Sequence, residues 1–230
     1  MAKILIAEDD EKIAQLEVDY LESNGYETAL VTDGWQVIPE LNRNSYDLLL
    51  LDLMLPGCSG YDICRTIRDK IDIPILMVTA RAEAMDVIRG LGLGADDYIT
   101  KPFDPSLLMA RVRSHLNRYR RLTAGRNAGQ PEKIVAGNVV IEPKTWKVWK
   151  NGKELKLPNR EFELLCFLAQ NPGIVFSKEE LFEKIWGYDY VSDTITVSVH
   201  ISRIREKIED DARDPRIIET VWGVGYRLNL

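Results

Sequence analysis

Apolar residues in the first half of the chain follow two alternating rhythms. Short, nearly unbroken runs such as Ile4-Leu5-Ile6, Leu48-Leu49-Leu50-Leu51 and Ile75-Leu76-Met77-Val78 are too brief for helices and read as strands buried on both faces. Between them lie stretches with helical spacing. In the first of these, Ile13, Leu16, Tyr20 and Leu21 make one apolar stripe, and Asn24-Gly25 ends it. Strands are expected at Lys3–Ala7, Glu27–Val31, Tyr46–Leu53, Pro74–Thr79 and Asp97–Lys101. Helices are expected at about Glu11–Ser23, Trp35–Asn42, Gly60–Asp69, Ala84–Leu91 and Pro105–Arg120, with Pro39 kinking or shortening the second. Successive βα units of this kind predict an α/β domain, a parallel sheet with helices on both faces.

The rhythm stops between residues 122 and 133, where Gly, Asn and Pro replace the apolar periodicity, so this segment reads as a linker between domains at 1–121 and 134–230. Beyond it the pattern is α+β. Short strands are expected around Val139–Ile141, Trp146–Trp149 and Glu154–Leu157, with Asn151-Gly152 as a hairpin turn. Helical stretches follow at Arg160–Gln170, Lys178–Ile185 and about Thr194–Ile208, then a hairpin from Ile217–Val221 to Tyr226–Leu228. In the last helix Val197, Ile201, Ile204 and Ile208 share one buried face. Val199, Ser202, Arg203 and Glu206 lie opposite, with Ser198 and Arg205 on one flank and Thr196 and His200 on the other.

Composition adds limits. A hydrophobic share of 45% with 29% charged residues describes an ordinary globular protein. No apolar run reaches membrane-spanning length, and acidic residues come too early for a signal peptide, so a cytoplasmic location is expected. Cys58, Cys64 and Cys166 are odd in number and lack metal-ligand spacing with His115 or His200, which argues against disulfides and structural zinc. Residues 1–121 carry 14 basic against 20 acidic side chains, and residues 122–230 carry 16 of each. The two halves therefore suit different partners, although neither is basic enough for charge alone to indicate nucleic acid.

The chemistry gathers at strand ends. Glu8-Asp9-Asp10 follows the first strand, Asp52 ends the third, Thr79 the fourth and Lys101 the fifth. In a parallel sheet these ends share one edge, where ligands bind. Clustered carboxylates need a cation among them, and hard oxygen donors suit Mg²⁺. A carboxylate beside Mg²⁺ and Lys can act as a nucleophile toward a phosphoryl group, with ammonium and hydroxyl steadying the charged oxygens. Singly, each has a plainer explanation: Asp52 as a turn cap, Tyr98 as a strand aromatic packed under a helix.

Together, Ile-Leu-Ile-Ala-Glu8-Asp9-Asp10, Leu-Leu-Leu-Asp52-Leu-Met-Leu-Pro56-Gly57, Ile-Leu-Met-Val-Thr79-Ala80 and Asp-Asp-Tyr98-Ile-Thr-Lys101-Pro102-Phe103 resemble the receiver domain of bacterial response regulators, over about residues 3–121. The resemblance implies a flavodoxin-like strand order 2-1-3-4-5. It implies Asp52 as phosphoacceptor, Mg²⁺ held by Glu8, Asp9, Asp52 and the Met54 carbonyl, Lys101 pairing with the phosphoryl group across a cis Lys101–Pro102 bond, and Thr79 with Tyr98 as a switch pair. It further implies a homodimer face in which Asp96 and Asp97 meet Arg111 and Arg118, with Val87 and Leu107 where a third ion pair is usual. Met54 and Arg81 should crowd attacking water and slow hydrolysis of the aspartyl phosphate.

Residues 134–230 resemble the winged-helix effector domain of the OmpR/PhoB class, through Glu161-Phe-Glu-Leu-Leu165, Leu181-Phe-Glu-Lys-Ile-Trp186-Gly187, Thr196-Val-Ser-Val-His200-Ile-Ser-Arg203-Ile-Arg205 and Thr220-Val-Trp222-Gly-Val-Gly-Tyr226-Arg227. By this resemblance Val199, Ser202 and Arg203 face bases, while Trp186, Thr196, His200, Arg205, Thr220 and Tyr226 face phosphates. Trp222 stands at the wing where some members place an Arg, and Ser202 where a second helix Arg can occur. The loop Gly187–Asp193 is the segment that meets RNA polymerase in this class. The implied whole is a phosphorylation-dependent transcription regulator, not an enzyme, served by a sensor histidine kinase and binding tandem half-sites as a dimer. Two rivals stay open: a Mg²⁺-dependent phosphatase with an Asp nucleophile, which would usually carry a second Asp at the position of Met54, and a DNA-binding dimer indifferent to phosphorylation.

Overall fold

The structure is a computed structural model that describes residues 1–68, 70–80, 84–123, 133–187 and 194–230, without the side chains of 84, 85, 87 and 117–123. Two compact units divide the chain, Met1–Arg120 and Arg121–Leu230.

The first unit alternates β1 (Lys3–Ala7), α1 (Glu11–Ser23), β2 (Glu27–Val31), α2 (Gly34–Arg43), β3 (Leu48–Asp52), α3 (Gly60–Ile67), β4 (Ile75–Thr79), α4 (Ala84–Gly92), β5 (Asp97–Thr100) and α5 (Pro105–Thr123). Its strands form one parallel sheet in the order β2-β1-β3-β4-β5. Alternation along each strand divides the apolar residues between two layers. Ile4, Ile6, Leu48, Leu50, Leu76, Val78 and Ile99 pack with Leu21 of α1 and with Leu108, Val112 and Leu116 of α5. Leu5, Leu49, Leu51, Ile75 and Met77 point the other way and are equally buried. Pro39 does not break α2, which runs through it to Arg43.

The first helix differs from its expected stripe. Leu16 and Tyr20 are exposed, and the buried positions of α1 are Ala14, Glu17 and Leu21, with Val18 packed beside them. The true inward face includes a carboxylic acid, which is why an apolar pattern could not reveal it. The expected strand β3 also contracts to Leu48–Asp52, leaving Asp52 as its last residue.

The second unit opens with an antiparallel sheet of β6 (Ile134–Ala136), β7 (Val139–Glu142), β8 (Lys147–Lys150) and β9 (Lys153–Leu155). Asn151 and Gly152 both take positive φ (52° and 77°), the requirement of the tight hairpin turn. Helices α6 (Asn159–Gln170), α7 (Lys178–Trp186) and α8 (Thr194–Ile208) follow, and β10 (Ile218–Val221) pairs with β11 (Gly225–Leu228) in the closing hairpin. Phe176 and Tyr226 exchange backbone hydrogen bonds of 2.9 Å and join a further short segment to this hairpin. Gly225 permits that approach, since a Cβ there would lie 1.9 Å from the Phe176 carbonyl oxygen. The core gathers Val197, Ile201, Ile204 and Ile208 of α8 with Leu164, Leu165 and Leu168 of α6 and Leu181, Phe182 and Ile185 of α7.

Candidate functional site

At the carboxyl edge of the parallel sheet, the strand ends bring Glu8, Asp52, Thr79 and Lys101 together, each with little or no exposed surface. Lys101 reaches across the edge. Its ammonium donates to Glu8 Oε2 at 2.5 Å and also to Asp52 Oδ2, while its backbone N–H donates to the Thr79 carbonyl at 2.7 Å. Asp52 Oδ1 accepts from the Met54 N–H at 2.8 Å, and Glu8 Oε1 from the Asp10 N–H at 3.2 Å. Asp10 itself caps α1, accepting from Lys12 and Ile13. Close packing at the strand end depends on Gly60, whose Cβ would fall 2.3 Å from the Asp52 carbonyl oxygen. The Lys101–Pro102 bond is cis.

Electrostatics explains the clasp. Burial raises the Glu8 carboxyl above its usual range, and the Lys101 ammonium offsets only part of that effect. Burial alone would lower Lys101, yet its hydrogen bonds to Asp52 and Glu8 and their charges hold it above its ordinary value. One carboxylate oxygen each from Glu8, Asp9 and Asp52 lies within 4.8 Å of the others, close enough for all three to share one cation.

In the second unit, α8 presents Ser202 and Glu206 to solvent, with Val199 and Arg203 half-buried beside them. Arg203 is bound to Glu161 of α6, a fully buried carboxylate, at 2.7 Å, and Lys207 reaches the same carboxylate at 2.6 Å. The hairpin is tied to α8 at two points. Glu209 accepts from the backbone N–H groups of Arg216, Ile217 and Ile218, and Arg205 donates to the Ile218 carbonyl and the Thr220 hydroxyl. At the hairpin tip Trp222 is 90% exposed and Val224 55%.

Three of the residues expected at phosphates lie in the core instead. Trp186, Thr196 and His200 are at most 1% exposed. His200 packs edge-on to Trp186 at 5.1 Å, and its Nδ1 lies 2.9 Å from the Thr196 carbonyl. Tyr226 is also buried and donates to Ser198 at 3.3 Å, whereas Thr220 stays half-exposed.

Comparison with known proteins gives the arrangement its context. Residues 4–113 match the response regulator receiver domain, and residues 152–228 match the C-terminal domain of transcriptional regulatory proteins. The chain is 41% identical over 226 residues to the DNA-binding response regulator MtrA of Mycolicibacterium smegmatis, covering 98% of this chain and 96% of MtrA. It is 42% identical over 229 residues to the sensory transduction protein RegX3 of the same organism, covering 99% of both. The crystal structure of DrrB from Thermotoga maritima, an OmpR/PhoB homolog, is 35% identical, with a TM-score of 0.51 over 100% of this chain and 99% of DrrB.

The chain belongs to the OmpR/PhoB response regulators. As a response regulator with a receiver and an OmpR-type effector domain, it is a phosphorylation-dependent regulator of transcription, and the match favours this reading over both rivals. Among the described residues, no helix is long and apolar enough to cross a membrane.

The receiver's expected dimer face is only partly available. Asp96 and Asp97 are 2% and 1% exposed and are paired within their own protomer. Asp96 takes Arg68 at 3.0 Å and the Ile75 N–H at 2.9 Å, while Asp97 takes Arg111 at 2.7 Å and lies 3.2 Å from His115. Their charge is used in joining β5 to neighbouring elements, so it does not point outward as the sequence suggested. Leu107 is half-buried, whereas the side chains of Val87 and Arg118, along with Arg81 and residues 188–193, lie outside the described residues. The burial of Glu17, Glu161 and Glu209 escaped the sequence reading, because a Glu carries no signal of burial.

Proposed function

We propose that Asp52 is the phosphoacceptor of this regulator. A partner histidine kinase supplies the phosphoryl group: an Asp52 carboxylate oxygen attacks phosphorus, the new O–P bond replaces the P–N bond, and the electron pair of that bond leaves with the imidazole. The observation that carries this reading is the Lys101 clasp on Asp52 and Glu8, with Asp9 close enough to complete a three-carboxylate cation site. The donors are hard oxygens, which fit Mg²⁺ held by Glu8, Asp9, Asp52 and the Met54 carbonyl. Bound there, Mg²⁺ would neutralise charge on the transferring phosphoryl oxygens. Lys101 pairs with the phosphoryl group once it arrives, and Thr79 with Tyr98 passes the change on. A small acyl phosphate should label the protein once at Asp52; labelling that survives Asp52→Asn would refute the assignment.

We further infer that α8 and the hairpin form the DNA surface, with Ser202 and Val199 meeting bases, Arg203 at their edge, Thr220 at the backbone and the exposed Trp222 at the wing tip. Phosphorylated receivers form a homodimer with an apolar contribution from Leu107, so that two winged helices address tandem half-sites at raised local concentration. The protein works in the cytoplasm and meets RNA polymerase at the promoter. Mapping bound genomic DNA with and without phosphorylation tests this, and identical maps would sink it.

A further inference from the structure

The carboxylate of Glu161 has no exposed surface, and each of its oxygens meets a cation of α8. Lys207 donates to Oε2 at 2.6 Å, and Arg203 Nη2 lies 2.7 Å from Oε1. Arg203 and Lys207 stand about one helical turn apart, so a single carboxylate can serve both. The Arg203 side chain is laid against the protein, 11% exposed where that of Lys207 is 31% exposed. Its contact with Glu161 is one of charge. Oε1 accepts no aligned hydrogen bond, so the contact holds the guanidinium without taking up an N–H.

Stability alone gives little reason for this carboxylate. Buried ion pairs are costly to desolvate, and apolar residues of similar volume often replace them without loss. DNA reading gives a better one. An arginine that grips a base loses side-chain freedom, and the loss is smaller when the guanidinium is fixed before binding. An adjoining anion also offsets the charge by which a cation attracts any phosphate, whatever the sequence, while the planar donors that suit a base edge keep their directions.

We propose that Glu161 is a positioning residue for DNA reading, the buried carboxylate that pre-sets Arg203 for a base edge and restrains its pull on phosphates, raising discrimination between sequences and lowering non-specific affinity. Lys207, on the other oxygen, keeps the carboxylate compensated while Arg203 engages a base. The inference rests on the reading of α8 as the DNA-facing helix with Arg203 at the bases.

Fluorescence anisotropy of the full chain tests it at one salt concentration, on the genomic fragment that wild type binds most tightly and on a mixed-sequence duplex of equal length. Glu161→Gln keeps the size of the side chain and should lower the affinity ratio between the two duplexes about tenfold, within the range of one misplaced base contact. The mixed-sequence duplex should be bound at least as tightly as by wild type, an outcome that loss of structure could not give. In an Arg203→Ala background the same substitution should change the ratio by less than about twofold. The proposal is overturned if Glu161→Gln leaves the ratio within about twofold of wild type, if mixed-sequence binding weakens along with it, or if the ratio falls equally without Arg203. Should Glu161→Gln not fold, Glu161→Asp, which keeps the charge but draws the carboxylate back from Arg203, carries the same comparison of ratios. If Arg203→Ala itself leaves the ratio unchanged, the reading of Arg203 at the bases fails instead.

Discussion

Arg203 of α8 lies 2.7 Å from Glu161 of α6, so a residue expected at DNA is also tied to a carboxylate with no exposed surface. Removing Glu161 takes a fully buried carboxylate away from the largely buried Arg203 and the partly exposed Lys207. Glu161→Ala is therefore expected to cost about 3–5 kcal/mol, read as a lowered midpoint in thermal or denaturant unfolding. Arg203→Ala should lower both that midpoint and DNA affinity. Ser202 is exposed, so Ser202→Ala should change DNA affinity while stability stays within about 0.5 kcal/mol.

Helix α8, the proposed DNA-reading helix, has few cations to spare. Arg203 and Lys207 serve Glu161, and Arg205 serves the hairpin. Few phosphate charges are then neutralised on binding, and the salt dependence should be shallow. Ser202→Arg should steepen the slope of log affinity against log salt by about 0.9, the release of one counterion. Fluorescence titrations across a salt series would show it, and an unchanged slope would place position 202 away from the phosphates.

Lys101→Ala leaves Glu8 and Asp52 buried and facing each other without their shared ammonium. In metal-free solution this should cost about 3 kcal/mol. Mg²⁺ binds the folded state and should recover much of the loss, so the gap between variant and wild type should narrow as Mg²⁺ is added. A gap independent of Mg²⁺ would contradict the cation site.

Glu17 gives metal-free stability a direction with pH. Its folded value near 8 lies above the ordinary 4.5, so the folded chain holds a proton that the unfolded chain releases between these values. Stability from this group is fully present below about pH 4.5 and is lost as pH rises toward 8, by no more than about 1.4 kcal/mol per pH unit. Glu8 is raised as well and acts in the same sense. Glu17→Leu should raise stability at pH 8 more than at pH 5, leaving the smaller slope due to Glu8. Unfolding curves at the two pH values provide the check.

Much of this was legible in the sequence, because apolar runs and strand-end residues act locally. β1, β2, α1 and α8 begin and end where periodicity placed them, and the acidic edge forms because parallel strands bring their ends together. Burial on the flank of a helix is different. Thr196 and His200 adjoin the Val197–Ile201 stripe, and tertiary packing, such as Trp186 of α7 edge-on to His200, buries this flank where helical spacing leaves it undecided. The sequence reading sets Asp96 and Asp97 against Arg111 and Arg118 across a dimer face, but only the fold shows that Arg68 and Arg111, distant in sequence, receive them within one protomer. Strand β6 is three residues long, too short for alternation to declare it.

The double tie between α8 and its hairpin makes the pair a caliper. Glu209 secures the start of β10 through three backbone N–H groups, and Arg205 secures the next carbonyl and Thr220. The jaw separation is set inside the protein rather than by whatever lies between the jaws. On the proposed DNA surface, a target whose two contact points are displaced by a base pair would itself have to bend or twist to fit, and the energy of that deformation would become part of how the sequence is chosen.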